Sequence, residues 1–383
     1  MDRRFRAERA ELRGKVDGVL LVATMLLVGV GIVALFAASQ AVSLRKYGDE
    51  WRIVVRQIAF LAPGAALAFL ASRMDIERAR RFVPALTLGS LLAMLLPFLP
   101  VIGSPLKGAS RWIDLGLTTF QPSELAKLAS IIYVSHVLAL REDRLESSSA
   151  PAVAPFLMLA AFAGITVLQN DLSTALLILA SSIAVMWVSP VRLRFFAALG
   201  LSALPFVALM VLSSDYRLER VLSFIYPAYD SSGAGYQMSA SLEAIREGGA
   251  LGVGLGMGAF TSSAIPEVEA DFVFAAFVRD MGFIGVVLFL GILAAFAARG
   301  FRAALASADS FMRYLGTGIC FLLVLQSLVN VSVVAGLMPA TGLPLPFFSA
   351  GGSSLVLSLV SAGILLNISR ESAAIHTEEA LHG

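Results

Sequence analysis

The side chains best equipped for chemistry are few, and they gather at the ends of apolar runs. Asp271 closes the polar stretch Pro266–Ala270 and stands at the foot of Phe272, Val273, Phe274, Ala275, Ala276 and Phe277. A carboxylate at a water–lipid boundary costs free energy unless it is capped, paired or used. Asp271 therefore reads either as the N-cap of the helix it precedes or as a reactive group held at the membrane surface. Glu124 and Lys127 are three residues apart and share one face of a helix that starts near Pro122. A lysine at the bilayer centre costs about 2.5–3.5 kcal/mol, less near the edge, so Lys127 should face the protein interior and a carboxylate. Asp171, in Gln169–Thr174, sits at a hairpin tip where it can cap the next helix and still reach Lys127. Lys107 and Arg111 are loop cations, suited to hold a phosphate or to snorkel to anionic head groups. Ser349, Gly351 and Gly352 end a stretch from Gly336 that holds three prolines, Pro339, Pro344 and Pro346. Such backbone is not helical, and in a membrane it survives only when buried in protein or lining a watery cavity.

Other chemistries are excluded by inventory. Cys320 is the single cysteine and lies in an apolar run, so neither a disulfide nor a cysteine metal site within the chain is possible. His136, His376 and His382 lie in or beside a span or in the tail, away from the loops above. Any general base in those loops must then be a carboxylate.

The elements that carry these residues are membrane helices. Hydrophobic residues make up 58% of 383 and charged residues 15%, with mean hydropathy +0.82, far from the composition of a soluble domain. Apolar runs of spanning length fall near 16–38, 53–71, 82–102, 122–140, 152–168, 172–189, 195–212, 272–297, 314–334 and 348–368. The expected fold is all-α and polytopic, with about ten transmembrane helices and a long outer loop, 213–270, between spans seven and eight. Residues 1–15 form an N-terminal tail, 16–370 the membrane domain and 371–383 a C-terminal tail. About 18 Lys and Arg fall on the N-terminal side of the membrane and about nine on the other, which makes both termini cytoplasmic. The basic residues read as topology determinants, so nucleic acid is not an expected partner. All the loops singled out above then lie on the outer side. Within 213–270, Met238, Leu242 and Ile245 repeat at helical spacing, suggesting an amphipathic helix against the membrane or a partner. The glycine run 248–258 has G-x-G spacing without a preceding strand; close backbone packing or an amide nest suits it better than a dinucleotide. These features alone describe an outward-facing polar cavity, and a transporter fits them as well as an enzyme.

KGASRWIDLG with QPSELAK, QNDLST, GAGYQ with the glycine run, PEVEADFVFA and GLMPATGLPLPFFSAGGSS occur in order over nearly the whole chain. In this the chain resembles the SEDS family (shape, elongation, division and sporulation), the FtsW/RodA type. GYQ and GLGMG are nearer FtsW and GLPLP nearer RodA, and the balance favours FtsW. The chain departs from the family where HTDF becomes EADF, where Arg279 and Asp280 replace a downstream glutamate, and where SYGG becomes SAGG.

The resemblance implies an inverting peptidoglycan glycosyltransferase of the bacterial cytoplasmic (inner) membrane that polymerises lipid II on the outer side. It would work in division with a class B penicillin-binding protein and other division proteins. It also implies that Asp271 is catalytic, that Glu124, Lys127 and Asp171 line the cavity, and that Arg111 lies near the lipid-linked pyrophosphate. With Lys107, Ser349, Gly351 and Gly352 these form the expected substrate site. A divalent cation, Mg²⁺ or Mn²⁺, at Asp271 is a further expectation. An elongation polymerase, a lipid II flippase and a division scaffold are the alternatives.

Overall fold

The computed structural model describes residues 16–100, 103–106, 109–116, 118–148, 150–212, 215–226, 233–257 and 265–382. Helices occupy the positions that hydropathy assigns: α1 (Gly18–Tyr47), α2 (Arg52–Arg73), α3 (Ile76–Arg80), α4 (Val83–Leu95), α5 (Pro122–Leu140), α6 (Glu142–Ser147), α7 (Val153–Leu168), α8 (Leu172–Val188), α9 (Leu193–Leu212), α10 (Asp215–Ile225), α11 (Ala234–Gly248), α12 (Val273–Leu305), α13 (Ser310–Val334) and α14 (Gly352–His382). Among the described residues, seven helical segments are long and apolar enough to cross a membrane: α1, α2, α5, Ala150–Leu168, α12, α13 and the Gly352–Ser372 part of α14. Val83–Phe98 and α8 are shorter apolar helices. The remaining expected position is filled by α9, of 20 residues.

Ion pairs sort to the two ends of this bundle. At one end Arg299 clasps Asp17 at 2.7 Å and Arg313 meets Glu142 at 3.3 Å. At the other, Lys46 meets Glu269 at 2.8 Å and Arg111 lies 3.8 Å from Asp171. That second end carries nearly every side chain singled out for chemistry.

Two segments there differ from expectation. The stretch after α4 is a three-stranded antiparallel sheet, β1 (Gly103–Leu106), β2 (Ala109–Asp114) and β3 (Thr119–Phe120), in the order β1-β2-β3. Pairing of Gly103 with Ile113 and Ile113 with Phe120 folds Arg111 back toward the bundle. The face of α11 expected against the membrane or a partner packs, at Met238 and Leu242, on this chain itself. Met238 is buried, Leu242 reaches Gly336, and Ser241 donates to the Val334 carbonyl at 2.8 Å. An apolar stripe has the same periodicity whichever apolar surface it meets.

The glycine run has a packing role. α12 breaks at Gly282, where φ is +65°, and the run lies against the break. Val253 and Gly254 donate to the Arg279 and Asp280 carbonyls at 3.0 and 3.1 Å, and Phe283 returns a bond to the Gly249 carbonyl at 2.9 Å. A Cβ at Gly252 would overlap the Asp280 carbonyl, and one at Gly282 would overlap the Gly252 amide. The Gly256 N–H donates to the Asp280 carboxylate at 2.8 Å, so the anion facing this backbone is an internal one.

The apolar run after Asp271 is core and not a lipid-facing surface: Phe272 through Val278 are all buried. Phe274 and Phe277 join Phe289 and Phe348 in an aromatic cluster with centroids 5.0–5.9 Å apart. Phe348 comes from the proline- and glycine-rich stretch between α13 and α14. The cluster therefore clamps that stretch onto the first turns of α12, immediately beneath Asp271.

Candidate active site

Asp271 does not cap its helix. The N-cap of α12 is Phe272, with no side-chain cap, so the capping reading fails for this carboxylate. Asp271 is partly exposed and sits on a turn in which its N–H and that of Ala270 donate to the Glu267 carbonyl at 3.1 and 3.0 Å. The turn is pinned from three sides. Asn330 of α13 donates from one amide nitrogen to the Asp271 and Leu343 carbonyls, both at 2.9 Å. Ala350 donates to the Glu269 carbonyl at 2.8 Å, and Lys46 holds the Glu269 carboxylate. Opposite the Asp271 side chain lies Gly342, with φ +71°. A Cβ there would stand 3.5 Å from Asp271 Oδ2 and 4.0 Å from Arg220 Nη1. Arg220, on α10, is itself anchored by donating from Nη1 to the Ala340 carbonyl at 3.0 Å.

Glu124 and Lys127 form the buried pair that their spacing predicts. Lys127 Nζ is 2.9 Å from Glu124 Oε1 and 2.8 Å from Gln326 Oε1, and both members of the ion pair are 4% exposed. Gln326 then donates to the Pro344 carbonyl at 2.7 Å. The chain Glu124–Lys127–Gln326–Pro344 ties α5 through α13 to the segment carrying Gly342. Gln326 and Asn330 are four residues apart on α13, so one helix face holds this segment twice.

Asp171 belongs to a different cluster. It caps α8 by accepting from the Thr174 N–H at 3.1 Å, as expected, but its cation is Arg111 and no ion pair joins it to Lys127. Arg111 also donates from Nε to the Gln169 carbonyl at 3.2 Å and from Nη2 to the Asn170 carbonyl. The β2 strand thus delivers Arg111 onto the α7–α8 hairpin. Lys107 lies outside the described residues. Ser349 is buried and accepts from the Leu345 N–H at 2.8 Å, which makes it an internal brace of its loop. Gln57 of α2 donates to the Ser349 carbonyl at 2.9 Å and accepts from the Gly351 N–H at 3.2 Å. Gly352 packs where a Cβ would meet the Phe60 ring at 2.6 Å. These three residues shape the loop from behind.

Sequence reasoning missed Arg220, Asn330, Gln326 and Gln57. The last three were findable as amides inside apolar spans, which in a membrane mark buried polar networks. Arg220 gives no such signal, because it sits in a polar segment among other charges.

A Mg²⁺ or Mn²⁺ ion held by protein needs several oxygen ligands at once. Among the described residues no group of three His, Cys, Asp or Glu side chains is arranged to supply them. The charged group that shares Gly342 with Asp271 is a guanidinium, whose charge opposes a cation. Among the described residues there is therefore no all-protein cage for a divalent ion at Asp271.

The family model of the FtsW/RodA/SpoVE cell cycle proteins matches residues 18–374. The chain is 37% identical over 353 residues to a probable peptidoglycan glycosyltransferase FtsW of Geobacter sp. (strain M18), covering 92% of this chain and 96% of that one. It is 33% identical over 359 residues to stage V sporulation protein E of Bacillus subtilis (strain 168), covering 93% and 97%. Among solved structures, a chain from work on how a peptidoglycan synthase complex coordinates polymerization and crosslinking superposes with a TM-score of 0.77 at 30% identity, covering 93% and 98%. The rod shape determining protein RodA of Thermus thermophilus gives 0.66 at 29%, covering 93% and 97%. The chain belongs to the FtsW/RodA/SpoVE family of multi-pass membrane proteins.

Proposed function

We propose that this chain is a peptidoglycan glycosyltransferase of the FtsW kind, polymerising lipid II on the outer side of the bacterial cytoplasmic membrane during division. The observation that carries the reading is Asp271: a partly exposed carboxylate one residue before the N-cap position of α12, on a turn pinned from three sides. The names of its relatives support the substrate class, and the synthase-complex neighbour supports a class B penicillin-binding protein as partner.

In the reaction the 4-hydroxyl of one lipid-linked disaccharide attacks the anomeric carbon of another. The new C1–O bond forms as the C1–O bond to undecaprenyl pyrophosphate breaks, with inversion. Asp271 takes the hydroxyl proton, for which it must be ionised, and later gives it to water. A positioned base of this kind contributes about 10²–10⁴-fold. Glu124, Lys127 and Gln326 hold the loop opposite Asp271 at a fixed distance. Arg111 and Asp171 brace β2 against the α7–α8 hairpin at the same end of the bundle.

Orientation follows the Lys and Arg asymmetry, with both termini cytoplasmic. Cysteines introduced at Leu115 and Leu337, which are exposed, should react with an impermeant thiol reagent from outside, and one at exposed Leu305 only after lysis. Native Cys320 is buried and should stay silent. The activity itself is tested by supplying labelled lipid II to the purified protein with its partner. Glycan strands are expected. Movement of lipid II across proteoliposome membranes without strands would make the protein a flippase instead, and septal against sidewall localisation separates division from elongation.

A further inference from the structure

We infer that the glycine run between α11 and α12 lies in the outer leaflet of the bilayer, with Leu251, Val253, Leu255 and Met257 as its contact with lipid. The placement depends on the membrane helices and not on the chemistry, so it holds whether the chain polymerises lipid II or moves it.

From Leu251 to Met257 apolar residues alternate with glycines, and the fold sorts the two kinds to opposite sides. The four apolar side chains are exposed, Leu251 at 77% and Met257 at 79%, while the glycines between them are half-buried. A Cβ on Gly252 would overlap the Asp280 backbone of α12, and one on Gly256 would stand 3.8 Å from Gln40 Oε1 of α1. Four large apolar side chains turned outward on one short loop make a patch that water disfavours.

Irregular backbone is tolerated at membrane depth only where protein satisfies its polar groups. Here the N–H groups of Gly252, Val253 and Gly254 donate to the Gly248, Arg279 and Asp280 carbonyls, at 2.8, 3.0 and 3.1 Å. Those of Gly256 and Met257 donate to the Asp280 carboxylate and the Gly254 carbonyl, at 2.8 and 3.2 Å. Phe283 and Ile284 of α12 return bonds to the Gly249 and Ala250 carbonyls at 2.9 and 3.3 Å. The backbone faces protein and its side chains face outward.

Helix rise sets the height of the run. The Asp17–Arg299 ion pair marks the opposite end of the bundle. Along α1, Gln40 stands about 33 Å from Gly18, and along α12, Phe283 stands about 24 Å from Arg299. The hydrocarbon layer is about 30 Å thick, so a loop packed on both positions lies at its far boundary, where apolar side chains reach the acyl chains. Phe283, Ile284, Val287 and Leu288 continue the exposed apolar face down α12, a helix long and apolar enough to span the membrane. That continuity commits the patch to lipid.

The test attaches an environment-sensitive fluorophore to Leu251→Cys, Leu255→Cys and Met257→Cys, one at a time, in full-length protein in phosphatidylcholine nanodiscs. Native Cys320 is buried and leaves the label selective, and melting curves identify any variant that misfolds, the other two positions then carrying the reading. Leu288→Cys serves as the lipid-facing standard and Leu115→Cys as the aqueous one, both positions being exposed. The three probes should emit as far to the blue as the one at Leu288, be quenched by brominated acyl chains, and resist aqueous iodide. Iodide quenching equal to that at Leu115, without quenching by brominated lipid, would place the run in water and overturn the inference. Probes shielded from iodide only after a class B penicillin-binding protein is added would make the patch a protein contact and overturn it as well.

Discussion

Replacing Lys127 with methionine keeps the stem and deletes the charge, and its cost can be worked from the contacts. Glu124 is 4% exposed and would lose its ion-pair partner among the described residues, and Gln326 would lose the donor on its amide oxygen. Breaking a buried pair from one side typically costs about 3–5 kcal/mol, because the remaining charge is stranded. Lys127→Met alone should therefore be severely destabilising. Glu124→Gln in the same chain should recover much of that loss, with a coupling of about 0.5–3 kcal/mol. Asp171→Asn should not rescue it, since Asp171 is paired with Arg111; that pair of changes should add to within about 0.5 kcal/mol. Unfolding in nanodiscs of the three single variants and the two double variants measures all three quantities. Coupling between Lys127 and Asp171, with Lys127 and Glu124 strictly additive, would refute the division of the site into two clusters.

Three further outcomes follow from single contacts. Asn330→Leu leaves the Asp271 and Leu343 carbonyls without their shared donor, so unfolding should show a loss of about 1–3 kcal/mol and polymerisation should fall with it. Gly282→Ala must adopt φ +65° and displace the Gly252 amide; it should cost more than the roughly 1 kcal/mol of an unfavourable glycine replacement, read by thermal melting. Asp17 lies at the opposite end. Burial pushes its carboxyl up, but the Leu20 N–H and the Arg299 guanidinium outweigh burial and hold it below the ordinary carboxylate value. A depressed pKa gives stability that is present above the unfolded value, near pH 4, and is lost as pH falls through the folded one. Melting from pH 6 to pH 3 should show that acid limb in wild type and less of it in Asp17→Asn.

The sequence yields the helices because an apolar run of spanning length has few alternatives in a bilayer. The Glu124–Lys127 pair is legible for a similar reason: three residues apart on a helix means side by side, and a buried lysine needs its carboxylate. What hydropathy cannot supply is which apolar surface a run meets. Phe272–Val278 and the Met238 face of α11 are both apolar, and both turn out to be packed on protein. Partners set by chain crossing are also hidden. Arg111 finds Asp171 only because β2 pairs with β1 and β3, and the alternation of so short a strand is obscured by its arginine and serine. The glycine run could not be read as the counterpart of a helix break without knowing that α12 breaks at Gly282. Asp271 was ambiguous for a local reason: Asp before a helix is usually a cap, and a one-residue shift of the helix start decides the matter.

That shift makes the central claim directly measurable. Asp271→Asn preserves size, and because Phe272 holds the cap position, neither Asp271→Asn nor Asp271→Ala removes a helix cap. Lipid II polymerisation by the purified variants with their partner, set beside their melting curves, tests whether Asp271 is the base. The account predicts a fall of about 10²–10⁴-fold in turnover with melting close to wild type for both. Near-normal glycan strands from Asp271→Asn, or a melting loss in Asp271→Ala that matches its loss of turnover, would contradict it.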